Sequence, residues 1–344
     1  SKNHHKNCRY SIKYIINKHD YPILNHQNED GMEIEPTYYA PIFPMVLVNG
    51  AEGIGTGFST KIPNYNPIEI INNLIRMIDG HKIKSMEPFY NKFKGHIKKI
   101  DKNNFEFHGK YIIKGNKLII TELPVGTWTH NYKGDLEKML DKELAKKHKR
   151  FVSYSDNNTN ENVHFEIKFN KDEIQNVKDI MTEFKLIKKI GTTNMHLYST
   201  NGNIKKYNSI KEIMTEFYEK RLQLYQKRKD YMLSILKYQL ELLSYKCKFI
   251  LMIINKELKI NNRKRLEIEI KLEEHKFPKF GKDKDDTNLT YNYLLSMPLY
   301  NLTKEKIKEL QKDMNDKDIE YNTLDENSIR DMWKTEFIKL KENL

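Results

Sequence analysis

The sequence predicts an α+β chain: a mixed α/β block with an antiparallel sheet, followed by a long helical coiled coil that ends in small helices. Three observations predict it. Residues 203–277 contain neither glycine nor proline, and apolar side chains recur there every seven residues. Short runs between His96 and Phe169 alternate apolar and polar residues, the period of half-buried strands. Ahead of both lies PMVLVNGAEGIGTGFSTKIPNYNP, from Pro44 to Pro67, in which Gly50, Gly53, Gly55 and Gly57 crowd one short stretch.

The elements follow in order. Ser1 to Asn7 holds no apolar residue, and Cys8 to Lys18 has a weak apolar period (Ile12, Ile15, Ile16) that predicts one helix. Met45 to Val48 is apolar and β-branched and predicts a short buried strand. The glycines then predict a shaped loop, since glycine tolerates positive φ and close backbone approach. Ile54 stands between Gly53 and Gly55, where a β-branched side chain gains nothing from folding. Pro63 and Pro67 close the loop, and a helix follows from Ile68 to Ile78.

His96 to Ile100, Phe105 to Ile112 and Lys117 to Leu123 predict antiparallel strands of one sheet, with Gly115-Asn116 as a turn. Trp128 to Lys147 predicts a helix with Leu136, Met139, Leu140 and Leu144 on one face. A polar loop from Asp156 to Asn162, a strand from Val163 to Phe169 and a helix from Asp172 to Lys185 complete the block.

Steps of seven from Ile210 reach Phe217, Leu224, Tyr231, Tyr238, Tyr245 and Met252; the companion seam is Met214, Arg221, Arg228, Ile235, Leu242 and Phe249. The two arginines cannot be buried unpaired without a cost of several kcal/mol. That end of the helix is therefore expected to splay or to face an acidic surface, with tight packing from about Tyr231. Leu258 to Phe277 is densely charged and broken by Pro278 and Gly281. Helices are predicted from Asn292 to Met297, from Thr303 to Lys317 with Thr303 as cap, and from Asp325 to Leu344, the last returning antiparallel to the long helix.

Of 344 residues, 60 are Lys or Arg and 47 Asp or Glu, a net charge of +13. That excess favours a polyanionic partner, with nucleic acid first. A basic protein on a membrane surface is the alternative, but no apolar run reaches about 18 residues. Two cysteines, Cys8 and Cys247, provide neither a disulfide framework nor a zinc site and fit a reducing compartment. The histidines show no metal spacing, so no metal ligand is named. Gly53-Ile54-Gly55-Thr56-Gly57 brushes against nucleotide-binding patterns, but prolines forbid a helix at Gly57 and no Gly-Lys-Ser/Thr follows. A strand–helix connection with no ligand is the bland reading. An apolar residue on a glycine frame also suits a wedge between stacked base pairs.

Glu35-Pro36-Thr37-Tyr38-Tyr39, the Pro44–Pro67 stretch, ITELPVGTWT from Ile119, NGNIKKYNS from Asn201, FYEKRLQLYQKRKDYM from Phe217 and KFILMIINKEL from Lys248 resemble eukaryotic-type DNA topoisomerase II. The resemblance runs over nearly the whole chain from about Asp20, in the back part of the DNA breakage–reunion core. It implies three regions: 1–36 as the close of a winged-helix domain, 37–209 as a tower domain flanking the gate DNA, and 210–344 as coiled coil and C-gate. It implies double-stranded DNA as substrate, a homodimer joined through the coiled coil and C-gate, no membrane, and a nuclear location. The family's DNA-inserting isoleucine matches Ile54, framed by Gly53 and Gly55. Lys61, Lys205, Lys206 and Tyr207 are the further expected DNA contacts. Mg²⁺ and ATP serve the full enzyme and are expected on other domains. Arg9-Tyr10 has the dipeptide of the family's nucleophile but the wrong spacing to Glu35, so no catalytic residue is assigned and the chain alone is expected not to cleave DNA. Glu122 is read as a structural turn residue. Lysine and arginine clusters at 94–99, 146–150 and 227–229 are read as solvated faces, some of them touching the DNA backbone. Two other classes stand beside this reading: a non-enzymatic coiled-coil scaffold that binds nucleic acid by charge, and a nucleotide-binding enzyme using Gly53 to Gly57.

Overall fold

A computed structural model describes residues 12–343 apart from Thr56 and Asp172. Tyr10 and Cys8 lie outside the described residues. The chain divides into two compact units, one of Phe43–Tyr218 and one joining the N-terminal segment up to Ile42 with Glu219–Leu344.

The second of these is mainly helical. Its N-terminal part contributes a 3-10 turn, Lys18–Ile23, and a hairpin of β1 (His26–Glu29) and β2 (Met32–Pro36). The long helix spans Ile210–Ile254 and carries the heptads of the sequence. It stops well before Phe277: Lys256 and Asn262 adopt φ of 64° and 59°, and a separate helix runs over Arg265–Glu274. Absence of glycine and proline therefore overstated its length, because lysine and asparagine can also leave the helical basin.

Arg221 and Arg228 correct the expectation of a splayed end. Both are buried. Arg221 meets Asp20 at 2.7 Å; Arg228 meets Asp20 at 3.3 Å and Glu336 at 2.6 Å. Their guanidinium carbons lie 4.4 and 4.3 Å from the ring centre of Tyr225, which sits between them at helical spacing. Tyr225 donates to Glu336 at 2.6 Å and stacks on Trp333, whose indole N–H donates to the Ile42 carbonyl. The acidic partner foreseen as a surface is thus an interior one.

The last helix, Ile329–Lys341, starts at Ser328, whose hydroxyl accepts the Asp331 amide. It runs antiparallel to the long helix, as expected. Lys229 donates to the carbonyls of Asp325 and Asn327, while Tyr225 and Arg228, earlier in the long helix, meet Glu336. The helix Lys304–Glu326 is capped by Thr303 and packs Ile307 and Leu310 on Cys247 and Ile250. Seam residues Tyr238 and Tyr245 are covered by Phe277 and Phe280 of the broken segment.

In the unit Phe43–Tyr218 the stretch Met45–Asn49 is one turn of helix, not the predicted strand. Four apolar residues are too few to show a period; Pro44 before the stretch and Gly50 after it supply the start and stop of a helix. A hairpin of β3 (Ala51–Gly55) and β4 (Phe58–Ile62) follows, then the helix Pro67–Ile78. The later strands are β5 (His96–Lys99), β6 (Asn104–His108), β7 (Lys110–Lys114), β8 (Lys117–Glu122), β9 (Phe151–Asp156), β10 (Phe165–Phe169), β11 (Ile187–Gly191), β12 (Met195–Tyr198) and β13 (Ile204–Tyr207). Seven of them form two larger antiparallel sheets, ordered β7-β8-β10-β9 and β11-β6-β5, rather than the single sheet predicted, and β12 and β13 pair as a separate hairpin. The run Phe105 to Ile112 is split at Gly109, where a Cβ would stand 2.4 Å from the Glu122 carbonyl oxygen.

The helix Thr129–Leu144 buries Tyr132 and Leu136 on the four-stranded sheet against Phe165 and Phe184, while Leu144 is exposed. Asp172 to Lys185 is not one helix but a 3-10 turn at Glu173–Asn176 and a short helix, Ile180–Glu183, capped by Asp179. Among the described residues no helix is long and apolar enough to cross a membrane.

Asp20→Ala leaves two buried guanidinium groups short of their shared carboxylate. Chemical denaturation of the full chain is expected to show a loss of about 3–5 kcal/mol; a loss under about 1 kcal/mol contradicts the assigned network.

Candidate nucleic-acid interface

The glycine stretch folds as a hairpin. Register pairs Ala51 with Ile62, Glu52 with Lys61, Gly53 with Thr60, Ile54 with Ser59 and Gly55 with Phe58. Two glycines make it possible. Gly50 has φ 67°, and a Cβ there would stand 2.4 Å from the Asn64 side-chain oxygen; Gly57, φ 79°, serves the tight return before Phe58. Strand pairing takes Gly53 and Gly55 away from any phosphate cradle, since no helix opens at Gly57.

Ile54 is 94% exposed. Alternation along β3 and β4 places Ile54, Ser59, Glu52 and Lys61 on one face. Lys61 forms an ion pair with Glu52 at 3.0 Å on that face, and its amide donates to the Asn194 carbonyl at 2.7 Å.

A second hairpin, β12 and β13, lies beside the first. Met195 pairs with Tyr207, His196 with Lys206, Leu197 with Lys205 and Tyr198 with Ile204. His196 binds the two hairpins: its Nδ1 contacts the Ser59 carbonyl at 2.8 Å, its amide donates to Thr60 Oγ1 at 3.3 Å, and its ring meets Phe58 edge-on at 5.8 Å. The Asn194 side chain donates to Ser59 Oγ. Between the hairpins runs an apolar groove of about 370 Å³, lined by Ile54, Phe58, His196, Tyr198 and Ile204.

The residues expected to touch DNA thus converge on neighbouring hairpins, with differences in detail. Lys206 is exposed and, among the described residues, forms no salt bridge. Lys205 is paired with Glu216 at 2.7 Å and lies 4.8 Å from the centre of the Tyr207 ring. Tyr207 itself is a correction: it is 3% exposed, and burial together with Glu216 pushes its hydroxyl up to about 12. It supports the strand from within and offers no surface to a ligand. Burial raises the Glu216 carboxyl, but Lys205, the Thr200 amide and Tyr207 outweigh it and hold the group below its ordinary value.

Several basic clusters are occupied by their own fold. Lys94 donates to Asn162, Lys146 and Arg150 hold Glu143, and Arg228 and Lys229 are tied as described above. Glu122 accepts the Lys94 amide at 3.1 Å, the structural role expected of it.

Sequence reading missed His196, Asn194, Phe58 and Tyr198. Asn201-Gly202 between two alternating runs was the available signal for the second hairpin. It also missed a cavity of about 620 Å³ at the base of the first hairpin, where Lys61, Lys188, Tyr90 and Trp128 meet. Trp128 is 75% exposed there; Lys188 donates to the Gly126 carbonyl at 2.6 Å, and burial, then Lys61, lowers its pKa. Among the described residues no group of three or more His, Cys, Asp or Glu is placed to hold a metal ion.

An exposed isoleucine thus stands on a paired hairpin with Lys61 on its own face, and Lys206 shares the face of Ile204 on the neighbouring hairpin. The family model of the DNA gyrase/topoisomerase IV A-subunit matches residues 8–338, and the chain belongs to that family. It is 36% identical over 349 residues to DNA topoisomerase 2 of Penicillium chrysogenum, covering 94% of this chain and 22% of that protein. It is 35% identical over 367 residues to DNA topoisomerase 2 of Saccharomyces cerevisiae, covering 94% and 26%. The crystal structure of the Plasmodium falciparum topoisomerase II DNA-binding, cleavage and re-ligation domain superposes with a TM-score of 0.84 at 36% identity, over 97% of this chain and 48% of that one. The chain spans about a quarter of the length of the curated relatives it matches.

Glu216→Gln is expected to destabilise the unit at pH 7, read by thermal melting. Because the folded carboxyl titrates below its ordinary value of 4.5, its contribution is complete above that value and fades as pH falls below it. The gap between variant and parent should therefore narrow on acidification; a constant gap contradicts the ion pair's role.

Proposed function

We propose that this chain is the gate-binding and bending part of a type II DNA topoisomerase, an enzyme that passes one duplex through a transient double-strand break in another. The observation that carries the proposal is Ile54: 94% exposed, β-branched, and fixed on a paired hairpin whose same face holds Lys61. Inserting it between base pairs costs a few kcal/mol of unstacking, offset by the basic contacts that a bent duplex can reach. Lys61, Lys205 and Lys206 position phosphates and read no sequence; preference for a site arises from how easily it bends.

In this proposal residues 37–209 act as the tower domain that flanks the gate DNA. Residues 210–344 form the coiled coil and C-gate that join two copies, and 1–36 close a winged-helix domain. Magnesium and ATP serve the full enzyme on other domains. The described residues do not fit a metal, and no step is assigned to one within this chain. The proposed compartment is the nucleus.

The scaffold alternative, which binds by charge alone, leaves Ile54 without a use. A circular-permutation bending assay separates the two readings. Ile54→Ala should bind with little change in salt dependence and give a distinctly smaller bend. An unchanged bend removes the wedge and favours the scaffold.

A further inference from the structure

Ile54 is not the only apolar side chain left in water on this surface. Tyr198 is 75% exposed, Phe58 51% and Ile204 47%, and all of them line the same groove as Ile54. Exposed apolar residues scattered singly need no explanation, but four of them around one groove mark a contact surface. The backbone also favours retaining this arrangement. Tyr198 faces Ile204 across the second hairpin, and its strand is tied to the first by His196, so the two apolar edges stand on one connected frame.

We propose that Tyr198 is a second apolar contact to the bent duplex, packing its ring on the sugar and base edge of the nucleotide beside the step that Ile54 opens. This rests on the gate-binding reading above. Duplex DNA is favoured as the occupant by charge. Lys206, exposed and without a salt bridge among the described residues, alternates onto the same face of β13 as Ile204, while Lys61 shares the face of Ile54 and is paired there with Glu52, so the unpaired charge beside the groove is positive. Tyrosine suits such a place: its ring covers apolar sugar and base edges while its hydroxyl stays in water. Phe58 lines the same groove, and Ile204 pairs with Tyr198 across the second hairpin.

The inference departs from the simpler picture of a lone wedge. With one tooth, the neighbouring nucleotide would be left against water after unstacking. With two, the ring replaces part of the stacking that the nucleotide loses, which lowers the cost of the bend itself.

The test uses the full chain and a short duplex labelled at both ends, with affinity read by fluorescence anisotropy and bend by energy transfer. Tyr198→Ala should bind about 5- to 20-fold more weakly, within the range for loss of one base-contacting aromatic, and bend less. Tyr198→Phe should stay within about twofold of the parent, because the ring and not the hydroxyl makes the contact. Circular dichroism should show all variants folded, since the side chain is mostly in solvent. If Tyr198→Ala matches the parent in affinity and bend while Ile54→Ala bends less, the assignment is overturned and the wedge stands. If Tyr198→Ala loses affinity while Ile54→Ala keeps the full bend, the contact stands and the wedge reading falls. If Tyr198→Ala abolishes a self-association seen by sedimentation and leaves DNA binding intact, the face belongs to a second copy and the proposal is overturned.

Discussion

The interface depends on the tie between two short hairpins. A two-stranded hairpin alone is marginal in water, and a marginal support cannot press a side chain into a base stack. Here the Ser59 and Lys61 backbone groups are held by His196 and Asn194, residues that lie more than 130 positions along the chain. Each such bond is worth only about 1 kcal/mol net, but together they fix one strand of the first hairpin against a neighbour that is itself paired.

The helical unit is organised by a different constraint. Asp20, Arg221, Arg228 and Glu336 are drawn together from the N-terminal segment, the long helix and the last helix, with Tyr225 layered between the guanidinium groups. Buried charges of this kind seldom add stability over an apolar core of the same shape. Asp20 Oδ1 and Arg221 Nε and Nη1 find no partner among the described residues, a further cost. What the network supplies is a set of directional ties between the three segments: Arg221 and Arg228 share Asp20, and Arg228 also engages Glu336.

How much of this could be read beforehand follows from which signals are local. Ile54 announced itself, because a β-branched residue among glycines has no local reason to be there. The long helix was legible from its heptads, although Lys256 and Asn262 end its course where composition showed no break. The partners of Arg221 were not legible: the arginine conflicted visibly with an apolar seam, but its carboxylate lies 201 residues away. Tyr207 was expected as a contact because it stands in NGNIKKYNS, a stretch resembling the family's, yet strand alternation turns it inward, opposite Met195. The split of Phe105 to Ile112 between two sheets turned on one close approach at Gly109, invisible to periodicity.

The central claim is that a side chain, and not charge alone, opens the duplex. The most direct measurement is the fluorescence of 2-aminopurine placed in turn at successive positions of a bound duplex, since the probe brightens when it loses its stacking partner. The account predicts brightening confined to one step with the parent chain and absent with Ile54→Ala at saturating protein. Equal brightening with both, or none with either, would contradict it.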